Sequence, residues 1–359
     1  MGSKHNLFLE VSDPRAENVR HDFCEMMFIA LSAVLCGAES CSDMALFGRS
    51  KEKFLRQFLD LPYGVPSHDT FSRLFRAIDP GEFSGLLERF CKAFGTALRK
   101  GEADVVAIDG KACRRGYEAG KAHVPPLSVT LWATGVRLSL GYVAAENGNE
   151  VAAAMEVLRL VDIAGATVTA DALHCHRAMA KTICERSADY VLTLKDNQSG
   201  LVRDARAALA AKKGRRAEQK EMRKGSAVTR RVRIVSAGDM AEKHDFPGLR
   251  AVIALETETD GQIKERLFLS SRLLTPHEAL RIIRIHWDIE NGLHWSLDVT
   301  MKEDEARARK DHAPHNLAIL RRLALNVARK AKDKNSLRGT FKRAAWDDSF
   351  LIRLYAHMR

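Results

Sequence analysis

Three carboxylates stand where rigid backbone could hold them for metal chemistry. Asp109 closes the apolar run VVAID and is followed by Gly110, and Asp171 closes a second run, TVTAD. An aspartate in that position is either the solvent-facing end of a strand or a ligand held on rigid backbone. Two strands that each deliver one at the C-terminal edge of a sheet favour the second reading, because reacting groups in open α/β sheets gather there. Glu290 lies about four turns into a helix, with His286 and His294 at i−4 and i+4 on the same face. Taken alone, that helix reads as amphipathic with a solvated stripe. Taken together, three carboxylates from two strands and a helix suit Mg²⁺, a hard ion that prefers oxygen ligands. Two such ions can activate a water or a 3′-hydroxyl and stabilise the departing oxygen in phosphodiester cleavage.

Other groups compete for attention. His174, Cys175 and His176 close to Asp171 invite a zinc reading. Adjacent residues at a helix start point in different directions, and no matching Cys/His pair lies nearby in sequence, so that reading is weak. Glu303, Asp304 and Glu305 rival Glu290 but read as a solvated acidic turn, with Asp298 or Asp304 available to assist a metal. Trp287 and Trp295 read as core residues rather than base-stacking platforms.

The elements that position the carboxylates follow from apolar periodicity. Glu17–Leu35, Ser40–Leu59 and Glu82–Leu98 carry helical patterns without strand signals, so 1–100 reads as a small all-helical domain. Within it, Ser67 is an N-cap for a helix bearing Phe71, Leu74, Phe75 and Ile78. That helix packs the domain or, with Arg73 and Arg76 exposed, acts as a recognition helix of helix-turn-helix type. From 104 onward the order is strand, hairpin turning at Thr134-Gly135, helix, strand, helix, strand, which indicates a mixed α/β layer architecture. Three strand-like runs follow at Val228–Val235, Arg250–Thr257 and Lys264–Leu269, the last two flanking the hairpin signal Asp260-Gly261. They suggest a β-rich insertion over about 201–272. Thr275-Pro276-His277-Glu278 is a capping box with Pro at N1, opening a helix expected to run through Trp295. The core domain is expected to span 101–345, with 346–359 as a C-terminal tail.

Composition narrows the partners. The 359 residues carry 57 Lys+Arg against 46 Asp+Glu, a formal charge of +11, which favours a polyanion. The longest nearly apolar run, Met26–Cys36, is far short of the ~20 residues that span a bilayer, so no membrane is expected. The N-terminus lacks the apolar core of a signal peptide, and seven scattered cysteines without a CxxC pair suit a reduced cytoplasm. Residues 201–235 hold twelve Lys/Arg against three acids, and 306–345 hold twelve against two. The two stretches bracket Glu290, as a DNA track around a catalytic site would. Candidate phosphate contacts are Lys111, Arg114 and Arg115 beside Asp109, Lys195 and Asn197 after the third core strand, and Arg307, Arg309 and Lys310. His286 and His294 are counted with them.

DVVAIDGK, VTADALHCHRAMAKTI, ADYVLTLKDNQ and HWDIENGLHWSLDVTMKEDEAR resemble, in that order, the bacterial insertion-sequence DDE transposases of the H-repeat-associated (ISAs-type) family. DPR, LCGAES and GVPSHDTFSRLF resemble that family's accessory N-terminal domain. The resemblance implies an RNase H-like catalytic core with an insertion before the helix bearing the third carboxylate. It makes Asp109, Asp171 and Glu290 the catalytic triad, binding two Mg²⁺ ions with Mn²⁺ as a substitute. It further implies DNA strand cleavage and strand transfer at the element's ends, a homo-oligomer on double-stranded element and target DNA, and a nucleoid-associated location. An inactive DNA-binding derivative and an RNase H-like nuclease without strand transfer are the alternatives. Some positions depart from pattern: Ile283, His286 and Leu297 stand where the broader superfamily carries Tyr, Arg and Lys. His176 replaces a usual Gln, and Gly148 a frequent Lys.

Overall fold

The computed structural model describes residues 6–16, 19–92, 105–113, 127–134, 136–223, 225–331 and 333–358. Among the described residues nine strands form one sheet: β1 (Val105–Ala112), β2 (Leu127–Ala133), β3 (Leu138–Ala145), β4 (Thr167–Ala170), β5 (Asp189–Leu194), β6 (Arg215–Arg223), β7 (Ser226–Ser236), β8 (Ala251–Thr259) and β9 (Gln262–Ser270). Their order across the sheet is β3-β2-β1-β4-β5-β9-β8-β7-β6. β1, β4 and β5 run parallel, while β2–β3 and β6–β9 are antiparallel meanders on either side. The insertion is therefore an extension of the same sheet, joined to the parallel strands through the β5–β9 pair.

The local signals explain the turns. Asp260 and Gly261 adopt φ of 50° and 78° between paired Thr259 and Gln262, as a two-residue primed turn requires. The insertion holds four strands rather than three, because β6 (RRAEQKEMR) is a polar edge strand whose alternation carries almost no apolar signal. The β2–β3 turn includes Gly135, outside the described residues.

The helical layer begins with α1 (Phe23–Leu35), α2 (Cys41–Ser50), α3 (Glu52–Leu55), α4 (His68–Ala77) and α5 (Pro80–Lys92). Ser67 caps α4 through Thr70 N (3.3 Å), and Phe71, Leu74 and Phe75 are fully buried. α4 is a packing helix: Asn316 donates to Phe75 O (2.8 Å) and Ile78 O (2.9 Å), and Arg76 is tied to Asp311 (2.6 Å), leaving Arg73 exposed. α6 (Glu150–Leu160), α7 (Arg177–Glu185), α8 (Ser199–Ala211) and the short α9 (Met240–Lys243) connect the strands.

α10 (Pro276–His286) opens on the capping box, with Thr275 N donating to Glu278 Oε2 (2.8 Å) and Glu278 N to Thr275 Oγ1 (3.3 Å). Its Ala279, Leu280, Ile282 and Ile283 cover Val191, Val232, Ile253 and Phe268 on one face of the sheet. The other face shares a continuous core with the helices. α11 (Ala313–Lys330) lies at the centre of that core, touching α1, α4, α5 and β3. The last residues form α12 (Leu337–Trp346) and α13 (Asp348–Tyr355) rather than a tail. Tyr355 stacks among Phe28, Phe54 and Phe58, its ring centroid 4.7 Å from that of Phe28. The two ends of the chain thus complete one helical layer.

Candidate active site

The cleft opens where two strands part. β1 and β4 pair as far as Ile108 and Ala170. β4 then stops and Asp171 follows it, while β1 continues beside β2 to Ala112. Asp109 is therefore not the end of its strand, as the following glycine suggests, but the first position of β1 without a β4 neighbour. The two aspartates are consequently next to each other at the edge where the parallel strands diverge. Asp109 is largely buried and accepts a hydrogen bond from Gly110 N (2.9 Å). Burial, then the negative charges of Asp171 and Glu290, push its pKa from 3.8 up to about 7. Asp171 is half exposed and is held below the usual carboxylate range by His286, against the opposing effect of burial, with help from Lys195.

The helix after α10 is distorted where it reaches the aspartates. Residues 289–294 and 296–300 form wide π turns, with Trp295 N–H bonding to Glu290 O and Met301 N to Ser296 O (3.1 Å). α10 proper ends at His286, short of the expected Trp295. His286 Nε2 lies 3.6 Å from Asp171 Oδ1, an electrostatic contact, and its Nδ1 shares a hydrogen bond with Thr169 Oγ1 (2.9 Å). His294 Nδ1 lies 3.5 Å from Asp109 Oδ2. Burial, then the charges of Arg322 and Lys111, lower the His294 pKa to about 3, so the ring is neutral. The two histidines expected to touch DNA each face one aspartate instead. Glu290 itself is exposed.

The remaining candidates fall in different places. Lys111 is 8% exposed, with Asp298 Oδ1 at 2.7 Å, Asp304 Oδ1 at 3.1 Å and Glu303 Oε2 at 3.9 Å. Burial opposes its charge, but these carboxylates outweigh burial and raise its pKa. This lysine is spent inside the protein and cannot meet a phosphate from that position. Glu303 is no solvated turn residue either: it is 2% exposed and paired to the buried Arg322 (3.0 Å). Asn197 donates to Ala172 O (2.9 Å), bracing the turn after Asp171, and Lys195 and Arg307 are exposed. Arg309 is half-buried. Arg114 and Arg115 lie outside the described residues. Among the basic stretches, Arg230, Arg321 and Arg322 are buried rather than part of an outer track. Trp295 is exposed, not core, while Trp287 carries the Arg266 guanidinium 4.9 Å above its ring.

The His-Cys-His run diverges as its local geometry demands. His174 Nε2 bonds Glu150 Oε1 (3.1 Å), Cys175 is fully buried with its thiol pushed up to about 12, and His176 caps α7 through Met179 N (3.2 Å). Among the described residues no three His, Cys, Asp or Glu side chains close on one point. A groove of about 1360 Å³ leads from Glu290 along the insertion, between α10 and β6–β9. Arg223, Arg230, Lys264, Arg266, Arg281 and Arg284 are among its lining residues.

Residues 100–327 match the family described as "Transposase DDE domain", and residues 5–91 match "DDE_Tnp_1-associated". The chain belongs to the DDE transposase family. It is 29% identical over 356 residues to the H repeat-associated putative transposase YhhI of Escherichia coli K12, covering 94% of this chain and 93% of that one. It is 36% identical over 278 residues to an uncharacterized protein in the dhlA 3′ region of Xanthobacter autotrophicus, covering 74% of this chain and 93% of the relative. A solved piggyBac transposase synaptic complex with hairpin DNA aligns over 98% of this chain and 80% of its own, at 13% identity and a TM-score of 0.46. Among the described residues of this transposase, no helix is long and apolar enough to cross a membrane.

Proposed function

We propose that this transposase binds the ends of its own insertion sequence and cuts and rejoins DNA there. Asp109, Asp171 and Glu290 would hold two divalent cations, Mg²⁺ or Mn²⁺. The observation that carries this reading is the charge at the strand fork. There Asp109 and Asp171 stand side by side where β4 ends and β1 continues, and burial, with the charges of Asp171 and Glu290, pushes the Asp109 pKa up to about 7. The donor set is oxygen-rich and hard, which fits divalent cations held by oxygen. Such ions supply an activated water or 3′-hydroxyl and stabilise the departing oxygen.

The chain's own residues do the positioning. His286 anchors on Thr169 and holds the Asp171 oxygen, while His294 faces Asp109 without adding charge. Asn197 fixes the turn that follows Asp171. The exposed Arg223, Lys264 and Arg266 of the groove beside Glu290 are suited to phosphates of the strand entering the site, whereas Arg230 and Arg284 are paired to Glu221. One site that must act on several strands calls for more than one copy on DNA, at the nucleoid.

The test uses the full chain, a labelled element-end duplex, a target plasmid and Mg²⁺. Wild-type protein should cut the end and join it to the plasmid, and Asp171→Asn and Glu290→Gln should do neither while binding the duplex nearly as well. Cutting without joining would assign a nuclease. Full cleavage by either variant would refute the triad.

A further inference from the structure

The backbone around Glu290 is gripped by side chains from a distant part of the fold. Arg329, in the last turn of α11, donates from Nη2 to Gly292 O (2.8 Å) and to Ser296 Oγ (3.2 Å). Ser296 Oγ donates in turn to Gly292 O (2.5 Å). A carbonyl oxygen has two lone pairs. Two side-chain donors therefore take the capacity that an α-helix would give to the N–H four residues on. Nη1 of the same guanidinium donates to Arg137 O (2.7 Å), in the turn between β2 and β3. Its central carbon lies 4.6 Å from the ring centroid of Trp132, which is fully buried in β2.

The circle closes on Asp288, two residues before Glu290. Trp132 Nε1 donates to Asp288 Oδ2 (3.2 Å), and Arg137 Nη2 to Asp288 Oδ1 (2.6 Å). A β-carbon at position 292 would stand 3.1 Å from both of those oxygens, so glycine there leaves the carboxylate its place. Burial, then the charge of Arg137, lower the Arg329 pKa to about 10, with Asp288 opposing both, so the guanidinium keeps its charge at neutral pH. Packing alone needs no charge in such a place, since apolar residues of similar volume often serve as well or better. What arginine supplies is a planar fork that meets several acceptors at fixed angles while it stacks on a ring. β2 is also the neighbour of β1, with Thr130 opposite Asp109. The grip thus refers the Glu290 segment to the strand pair that carries Asp109.

We infer that Arg329 and Asp288 are positioning residues for Glu290, fixing the main chain on either side of it against β2 and the β2–β3 turn. The inference rests on Glu290 being a member of the triad.

The test is single-turnover cleavage of the element-end duplex by the full-length protein in Mg²⁺, with duplex affinity measured separately. Arg329→Lys keeps the charge but loses the fork. It should bind the duplex as wild type does and cut it about tenfold to a hundredfold more slowly at saturating DNA, as misplacing a reacting group by about 1 Å does. Asp288→Asn should also slow cleavage, and the double variant should be no slower than the slower single one, because both release the same grip. Losses that multiply would mark separate packing defects and overturn the inference. Melting in EDTA shows which variants fold, and if Arg329→Lys does not, Asp288→Asn carries the test. Wild-type cleavage rates in the folded variants, or a loss confined to duplex binding, would also overturn it. Glu290→Gln keeps the two readings apart. If it abolishes cleavage while Arg329→Lys and Asp288→Asn leave the rate unchanged, the triad stands and the positioning role falls. If Glu290→Gln cleaves fully, both fall together.

Discussion

Replacing Asp109 by Asn should make the metal-free protein more stable, and more so as pH rises. Burial and the carboxylates of Asp171, Glu290 and Glu150 raise the Asp109 pKa from 3.8 to about 7. The folded state therefore keeps a proton that the unfolded chain has already released between those values. This contribution to stability is complete below about pH 4 and is lost as pH climbs through about 7. A change from 3.8 to about 7 amounts to about 4 kcal/mol, at ~1.4 kcal/mol per tenfold change in proton affinity. Asparagine carries no charge at any pH and can still accept the Gly110 N–H. In EDTA at pH 8 the Asp109→Asn variant should melt several degrees above wild type, at roughly 2 °C or more per kcal/mol. At pH 4 the two should nearly coincide. Excess Mg²⁺ should close the gap at pH 8 by stabilising wild type alone. Thermal melts from pH 4 to 8, with and without Mg²⁺, test all of this. Parallel stability curves for the two proteins in EDTA would refute the argument, because Asp109 would then titrate as an ordinary aspartate.

Two further predictions concern the scaffold. Arg322 is fully buried, with Thr130 Oγ1 at 3.1 Å, Ala318 O at 3.0 Å and Glu303 Oε1 at 3.0 Å. Arg322→Ala should cost about 3–5 kcal/mol in urea unfolding by stranding Glu303, and a loss below about 1 kcal/mol would argue against the pair. Tyr355→Ala should destabilise the helical layer by about 3–5 kcal/mol, the range for emptying a large aromatic site. Limited proteolysis should then cut first within 23–58 and 337–358, and unchanged protection there would contradict the shared packing.

Much of the site is legible in local chemistry, and the failures share a cause. Asp109, Asp171 and Glu290 stand out because two apolar strands and a capped helix each end on, or carry, an acid. The hairpin at Asp260-Gly261 and the start of α10 are legible because turns and caps are chosen by a few adjacent residues. What stays hidden depends on contacts between distant segments. Charge counts cannot distinguish Lys111, Arg321 and Arg322, which are buried, from Lys195 and Arg307, which face solvent. β6 reads like a solvated charge run because an edge strand needs little apolar content. Periodicity misplaces Trp295 because it assumes about 3.6 residues per turn throughout.

The π turns after α10 give the helix a stored step. Each fits more residues into a turn than the α-helix does. Returning one to ordinary winding would rotate everything downstream by about 100° and shift it along the axis by about 1.5 Å. Glu290 lies near the start of this wound segment, His294 farther along it and Asp298 near its end. Rewinding the first of these π turns would therefore withdraw His294 from Asp109 and Asp298 from Lys111 together, while the capped first turn at Thr275 stayed fixed. In mechanical terms such a step would turn the helix side of the site while the two aspartates stayed on a frame that does not turn.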